Sequence, residues 1–297
     1  MGWCIPLDTY DIVYQSKVFD ETYSHDIEWI PQADTVIKGG TGYVRIRKKD
    51  NETWLELYSN NQWLRKNEYH GSEIYNEYLP YAIEHTYPDY SLYPQLTHNS
   101  CFGHLTRGCP NACGFCLVSG KEGRWSRKVA DLNEFWKGQK NIELLDPNLL
   151  ASKDHLDLLQ QLVDSKATVN FNQGLDIRLT NEANISLINK VKVKDIHFAW
   201  DNPKDDLRVY FERYKALAKH KPHGACGTVY VLTNYASTME ENLYRIYTLR
   251  DIGYDPYVMI YDKPHAPKEI RLLQRWCNNR IIFKKCEKFE DYDPKKG

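Results

Sequence analysis

The stretch Thr228-Val-Tyr-Val-Leu-Thr233 is a run of β-branched and aromatic residues, which favours a buried β-strand. A helical pattern follows it at Thr238–Asp251, and a second apolar run, Pro256-Tyr-Val-Met-Ile-Tyr261, comes directly after the helix. A strand, a helix and a strand at this spacing predict a βα unit whose two strands lie parallel. The sequence therefore predicts an α/β fold.

The same alternation extends toward the N-terminus. Four more apolar runs predict strands at Cys101–Thr106, Asn141–Leu145, Thr168–Asn172 and Asp195–Trp200. Helical patterns separate most of the strands, at Asp131–Lys137, His155–Asp164, Asn181–Lys190 and Asp206–Lys219. Six βα units of this kind make an open, partial version of the (β/α)8 barrel. We therefore predict a partial (β/α)6 TIM-like barrel over residues 99–265.

Polar residues follow each of these strands. The strand ends lead into Asp146-Pro-Asn148, Asn172–Arg178, Asp201-Asn202, Thr233-Asn234 and Tyr261-Asp-Lys263. In a βα barrel the chemistry lies on the loops that leave the C-terminal ends of the strands. Asp, Asn and Gly are also ordinary turn formers, so each single loop has a simpler explanation. Taken together, the loops predict a polar rim.

The segment Arg107-Gly-Cys-Pro-Asn-Ala-Cys-Gly-Phe-Cys116 follows the first strand and spaces its cysteines as C-x3-C-x2-C. Three close thiolates can hold three irons of a cubic [4Fe–4S] cluster and leave the fourth iron without a protein ligand. A zinc site normally takes four ligands, and no second cysteine pair follows at a suitable spacing. Disulfides or buried structural thiols would also account for cysteines this close together. The spacing favours an iron–sulfur cluster with one open iron.

This cysteine spacing resembles the signature of the radical S-adenosylmethionine (SAM) superfamily, with Phe115 in the aromatic slot before the last cysteine. The resemblance implies that Cys109, Cys113 and Cys116 bind a [4Fe–4S] cluster and that the open iron binds SAM. It further implies reductive cleavage of SAM to a 5′-deoxyadenosyl radical, which takes hydrogen from a substrate, and a reductant such as flavodoxin or ferredoxin. The six-unit partial barrel is the fold of that superfamily.

The resemblance also implies roles near SAM for five residues. The Asp146–Asn148 turn would lie near the methionine amino group, and backbone groups near Phe115 would recognise adenine. Arg178 would pair with the SAM carboxylate, as a bidentate guanidinium can, and Asp176 would reach the ribose hydroxyls. Alternatively, Asp176 and Arg178 pair with each other across their turn. No catalytic residue is assigned.

Residues 1–78 are predicted to form a reduced, Rossmann-like α/β region with short strands at Asp11–Tyr14 and Asp34–Ile37 and a glycine turn at Gly39–Gly42. The region resembles a shortened cobalamin-binding-type domain that precedes some radical SAM barrels. Its D-x-H-x-x-G motif is absent, so cobalamin is not expected. Methylthiotransferase-type relatives carry three extra N-terminal cysteines, whereas Cys4 is the only cysteine before Cys101, which argues against a second cluster.

Residues 79–98 are rich in proline and tyrosine and predict an ordered linker, and residues 266–297 predict a basic helical or extended tail. Two basic stretches that contain tryptophan, Lys121–Lys128 and Lys268–Lys288, are candidates for binding nucleic acid through phosphates and stacked bases. Charge runs on helices are also common as solvated faces.

Composition narrows the class of protein. The 297 residues carry a formal net charge of −1. The protein as a whole therefore has no strong electrostatic field that would attract nucleic acid or an anionic membrane. No apolar run approaches the ~20 residues of a membrane span, and no signal peptide is recognisable. We expect a cytoplasmic radical SAM enzyme. Its reaction would be methylation, methylthiolation or another modification of a substrate that the sequence does not identify. The alternative is a non-catalytic zinc or iron–sulfur module that recognises nucleic acid or protein.

Overall fold

A computed structural model describes residues 9–16, 33–39, 45–48, 64–69, 72–77, 79–92, 94–111, 113–116, 118–220 and 226–295. The chain divides into two compact units. The N-terminal unit consists of residues 1–87 and 108–124, and the sheet unit consists of residues 88–107 and 125–297. This division differs from the predicted boundaries, because the cysteine segment groups with the N-terminal unit and the C-terminal tail groups with the sheet unit.

Elements are numbered along the chain. The strands are β1 (Tyr10–Ser16), β2 (Ala33–Gly39), β3 (Arg45–Lys48), β4 (Leu64–Tyr69), β5 (Ser72–Glu77), β6 (Ser100–Gly103), β7 (Thr106–Arg107), β8 (Arg127–Lys128), β9 (Asn141–Leu144), β10 (Thr168–Phe171), β11 (Lys192–Ala199), β12 (Thr228–Thr233) and β13 (Asp255–Ile260). The α-helices are α1 (Tyr81–Glu84), α2 (Pro94–Thr97), α3 (Val118–Glu122), α4 (His155–Ser165), α5 (Glu182–Ile188), α6 (Arg208–Leu217), α7 (Met239–Ile252), α8 (Lys268–Asn278) and α9 (Arg280–Lys285).

The N-terminal unit contains two small sheets. Strands β1 and β2 pair in parallel, and they include the two short strands that the sequence predicts for this region. Strands β3, β5 and β4 form an antiparallel sheet with β5 in the middle, which the sequence did not predict. Helix α3, which follows the cysteines, packs against β4 and β5. Of the predicted glycine turn, only Gly39 lies within the described residues, at the end of β2.

The sheet unit is built on six parallel strands in the order β6-β9-β10-β11-β12-β13. All six predicted strands are confirmed to within a few residues, and the α/β fold class is confirmed. Because the spatial order follows the chain order and βα crossovers share one hand, the connecting helices lie on one face of the sheet. The sheet is not closed into a barrel; β6 and β13 are its edges.

The face of the sheet toward the helices is apolar. In-register residues of neighbouring strands point to the same side, and those on this side are fully or almost fully buried: Ile142, Leu144, Val169, Phe171, Ile196, Phe198, Val229, Val231 and Val258. Helices α4 to α8 add leucine, isoleucine and aromatic side chains to this core. Phe198 packs edge-on against Phe211 and Tyr214 of α6. Burial of these apolar side chains is the main force that stabilises the unit.

Side chains cover both edges of the sheet. The Tyr90 hydroxyl accepts the Phe102 N–H of β6 at 3.1 Å. At the other edge, Asn278 Oδ1 accepts the Val258 N–H at 2.7 Å, and the Gln274 amide donates to the Val258 carbonyl at 3.0 Å. Unpaired edge groups invite pairing with another chain. These three side chains occupy such groups at the centre of each edge strand.

A fully buried arginine ties α7 to two strand ends. Arg245 donates to the carbonyl oxygen of Trp200, directly after β11, at 2.6 Å and to that of Leu232, near the end of β12, at 3.0 Å. It also donates to Asn242 Oδ1 at 2.6 Å. Burial lowers the pKa of Arg245 to about 10, which leaves the guanidinium charged at pH 7. The planar fork of donors fixes the carboxyl ends of β11 and β12 together.

The substitution Arg245→Lys should lower the free energy of unfolding by ~2–4 kcal/mol, because an ammonium cannot reach all of these acceptors and leaves buried carbonyls unsatisfied. Urea denaturation followed by circular dichroism measures the change. Arg271→Lys on the exposed side of α8 is the matched control and should shift stability by less than ~0.5 kcal/mol. Equal effects of the two substitutions would contradict the role of Arg245.

Candidate functional site

Residues 108–124, which contain the three motif cysteines and are called the cysteine segment, are an excursion from a short hairpin. Strands β7 and β8 pair antiparallel, Thr106 with Lys128 and Arg107 with Arg127. The chain leaves the sheet unit after Arg107 and re-enters it at Trp125, and the three cysteines lie between these points. The hairpin therefore brings the two ends of the cysteine excursion together within the sheet unit.

Asp146, at the end of β9, holds the outgoing side of this hairpin. Its Oδ1 accepts the Thr106 N–H at 2.5 Å and the Thr106 hydroxyl at 2.7 Å, and its Oδ2 accepts the Leu105 N–H at 3.1 Å. The carboxylate is buried. Asp146 thus serves the backbone that leads into the cysteines, whereas the sequence predicts a place near the SAM amino group; that cofactor role stays a prediction.

The Asp146–Asn148 turn also holds β8, the strand by which the chain returns from the cysteine segment. The Ser126 hydroxyl, one residue before β8, donates to the Asn148 carbonyl oxygen at 2.8 Å. Asn148 is itself buried and precedes a 3-10 helix at Leu149–Ala151. The Asp146–Asn148 turn therefore fastens both ends of the hairpin to the C-terminal end of β9. The predicted role of Asn148 beside SAM stays a prediction as well.

Burial raises the pKa of Asp146 to about 6, against the hydrogen bonds from Thr106 and Leu105 and the charge of Arg107, which lower it. Desolvation of the charged form is the larger effect for a carboxyl this deeply buried. At pH 7 the group is still mainly ionised, which suits an acceptor that receives three donors and gives none.

The cysteine segment is closed at its base within the N-terminal unit. The Gly108 N–H donates to Glu122 Oε2 at 3.0 Å, and the Cys109 N–H donates to the Gly123 carbonyl at 3.1 Å. Gly108 and Gly123 have φ angles of 87° and 99°, in the left-handed region that favours glycine. These contacts hold the beginning of the segment against its end.

A turn brings the last two cysteines close in the backbone. The Cys116 N–H donates to the Cys113 carbonyl at 3.0 Å, with the partly buried Phe115 inside the turn. All three motif cysteines are partly exposed, and no disulfide joins the cysteines of the described residues. Within those same residues, no three or more Cys, His, Asp or Glu side chains are gathered as a metal-ligand group. The segment offers three thiols on one closed loop, without assembling them.

Asp176 and Arg178 form the pair that the sequence allows as an alternative to SAM binding. Arg178 Nε donates to Asp176 Oδ1 at 2.8 Å, and Nη2 donates to Oδ2 at 2.7 Å. Asp176 also accepts the Arg178 backbone N–H at 3.1 Å and so begins the 3-10 helix Ile177–Leu179. The guanidinium is partly exposed, while the carboxylate is almost buried. Binding of SAM by either residue stays a prediction and would compete with this pair.

The face of the sheet away from the helices carries a polar network that was not predicted from the sequence. Glu143 of β9 accepts the amides of Asn170 at 2.7 Å and Asn172 at 2.9 Å on its Oε2, and Lys194 at 3.0 Å on its Oε1. Asn170 gives its other amide hydrogen to Asn172 Oδ1, and its own Oδ1 has no hydrogen-bond partner among the described residues. The signal was present as polar residues at alternate strand positions, Val-Asn-Phe-Asn and Asn-Ile-Glu-Leu.

A β-bulge shapes this face beside the network. The pairing of β10 with β11 skips Lys194, which is the extra residue between Val193 and Asp195. His197 lies two residues after Asp195, on the same face of β11. It donates from Nδ1 to the Phe171 carbonyl at 2.9 Å, and its ring stacks on Tyr230. Bulges commonly re-aim side chains beside functional sites. The polar face therefore has charged, amide and imidazole groups in neighbouring strands.

The two predicted nucleic-acid stretches differ in what they expose. Trp276, the tryptophan of the second stretch, is completely buried against Phe283 and Phe289 and has Arg250 over its ring. The expected stacking role of Trp276 is wrong, and its spacing from Ile270 and Leu273 along α8 was the signal for a core residue. Trp125 in the first stretch is 71% exposed.

No protein-family model matches this chain, and no curated protein shows significant sequence similarity to it. The functional assignment therefore rests on the residues themselves. In the described part of the chain, none of the helices combines the length and apolar character that crossing a membrane requires.

The substitution Asp146→Asn should flatten the pH dependence of stability. Because the folded pKa of Asp146 is raised from 3.8 to about 6, its favourable contribution is fully present below pH 3.8 and is lost as pH rises through about 6. As pH rises from below 3.8 to above 6, the free energy of unfolding should therefore fall by ~3 kcal/mol more in the wild type than in the variant. Urea unfolding at several pH values measures both slopes; parallel slopes would contradict the burial of an ionisable Asp146.

Proposed function

We propose that this protein is a radical SAM enzyme, which cleaves SAM reductively and abstracts hydrogen from a substrate that remains to be identified. The observation that carries the proposal is the C-x3-C-x2-C segment, whose three thiols stand on one closed loop. Three thiolates match the protein ligands of a cubic cluster with one open iron. The proposal includes a cytoplasmic location and a flavodoxin- or ferredoxin-type reductant.

The donor set of the loop fits such a cluster. Cys109, Cys113 and Cys116 are thiols outside disulfides, and each is partly accessible to an incoming metal. Metal binding commonly organises ligands that are not assembled beforehand, and binding free energy then becomes folding free energy. Loading of iron would therefore draw the three thiols together on a loop whose base is already closed.

Cys109, Cys113 and Cys116 would hold the cluster, which would supply the electron for reductive cleavage of SAM to methionine and a 5′-deoxyadenosyl radical. The chain's own residues have separate tasks in this proposal. Arg178 would exchange Asp176 for the SAM carboxylate, which offers the same bidentate geometry. Asp176 would turn to the ribose hydroxyls, and backbone groups near Phe115 would recognise adenine.

The sheet unit supports the proposal by its topology. Six parallel strands in chain order, with the connecting helices on one face, are what a partial (β/α)6 barrel would require, and we assign the opposite, polar face to the substrate. Lys194 is half exposed there, and Asn170 Oδ1 is an acceptor suited to a donor group of a bound molecule. A substrate with both acceptor and donor groups fits this face.

Anaerobic reconstitution with iron and sulfide should give about four irons per chain, and dithionite with SAM should release 5′-deoxyadenosine. Alanine substitution of Cys109, Cys113 or Cys116 should abolish both iron binding and product, because a cluster held by two thiolates is not retained. Cys286→Ala is the matched control: this cysteine is also partly exposed, lies outside the segment and should leave both readouts unchanged.

The outcomes separate the proposal from a metal-binding module without catalysis. One zinc and no iron in anaerobically purified protein, with loss of zinc in the motif variants, would favour the module. A fully loaded iron protein that releases no 5′-deoxyadenosine would also defeat the proposal. An unchanged iron content in all three motif variants would show that the segment does not bind the cluster.

A further inference from the structure

We infer that Glu122 is a positioning residue that holds Cys109 in place at the start of the cysteine segment; the inference rests on the proposed function. Glu122 lies six residues after Cys116, at the far end of the segment. Its Oε2 accepts the N–H of Gly108, the residue directly before the first cysteine, at 3.0 Å. The side chain therefore acts on the backbone that carries a ligand.

Two consecutive contacts close the base of the segment. The Glu122 side chain accepts the Gly108 N–H, and the carbonyl oxygen of the following residue, Gly123, accepts the Cys109 N–H at 3.1 Å. The positive φ angles of both glycines turn the two chain ends toward each other. One closure is a side-chain contact and the other a backbone contact, so only the first depends on residue identity at position 122.

A carboxylate is well suited to this task. The contact with the Gly108 N–H is 3.0 Å long, an ordinary N–H···O distance, so it requires an acceptor oxygen at this reach. A glutamine at the same position would keep an acceptor oxygen at the same reach, whereas an alanine would leave none. The Gly108 hydrogen bond should therefore be lost in Glu122→Ala and kept in Glu122→Gln.

The backbone of Glu122 is itself supported. It is the last residue of α3, which packs against β4 and β5 of the antiparallel sheet. The Gly123 N–H donates to the Ser119 carbonyl at 3.1 Å and continues the helical turn. A short helix braced by a sheet thus provides a fixed point for the first residues of the ligand loop. Because the loop ends are already held together, cluster binding has a smaller entropic cost of loop closure.

The test compares Glu122→Ala, Glu122→Gln and a matched control, Glu84→Ala, which removes an exposed glutamate of α1 in the same unit. The first readout is the alkylation rate of Cys109 by N-ethylmaleimide in iron-free protein, followed by mass spectrometry. Loss of one hydrogen bond of ordinary strength should raise this rate about five- to tenfold in Glu122→Ala. Glu122→Gln should stay within about twofold of wild type, and Glu84→Ala should not change.

The second readout is iron bound per chain at limiting iron and sulfide, which should fall in Glu122→Ala and be restored in Glu122→Gln. Because alkylation is measured without iron, it tests Glu122 even if the wild type binds no cluster, in which case the proposed function fails separately. Wild-type alkylation rates in Glu122→Ala would overturn the inference, and so would equal iron loading by all variants when the wild type does bind iron.

A measurement on the wild type covers the case in which Glu122→Ala does not fold. Amide hydrogen exchange should show protection of Gly108 and Cys109, whose N–H groups are both bonded. Exchange of these two amides at the rate of unstructured peptide would overturn the inference without any variant.

Discussion

The buried carboxylate of Asp146 is the contact on which the described arrangement depends. It accepts two backbone N–H groups and one hydroxyl from Leu105 and Thr106, the residues that leave the sheet toward the cysteines. Each of these donors would be costly to bury without an acceptor. A single side chain at the end of β9 therefore fixes where the chain departs from the parallel sheet, and Asn148 in the same turn fixes where it returns.

The sheet unit keeps its two faces chemically separate. Helices bury the apolar face, whereas the other face carries Glu143 with its amide and ammonium donors. The carboxylate is satisfied by the protein, which holds the asparagine amides in one orientation. Arg245 fixes the ends of β11 and β12 from the helix side. A rigid apolar layer thus supports a polar surface, as a binding site on strands requires.

The sequence predicted the six strands well because buried parallel strands are continuous apolar runs, such as Thr228–Thr233. It missed the antiparallel sheet because Arg-Ile-Arg-Lys at β3 and Leu-Arg-Lys-Asn-Glu-Tyr at β4 show no apolar face. It placed Asp146 and Asn148 on the polar rim but could not show that the aspartate turns inward, since that depends on donors 40 residues away along the chain. Trp276 shows the opposite error: a tryptophan among cations was expected to be exposed, and the apolar stripe of α8 buries it.

Electron paramagnetic resonance of the anaerobically reconstituted, dithionite-reduced protein tests the central claim most directly, because the signal of a reduced cubic cluster reports on the ligand of its open iron. We expect a reduced-cluster signal in the wild type that changes when SAM is added and is lost when Cys109, Cys113 and Cys116 are replaced by alanine. A reduced-cluster signal that is indifferent to SAM, or one that persists without these three cysteines, would contradict the assignment.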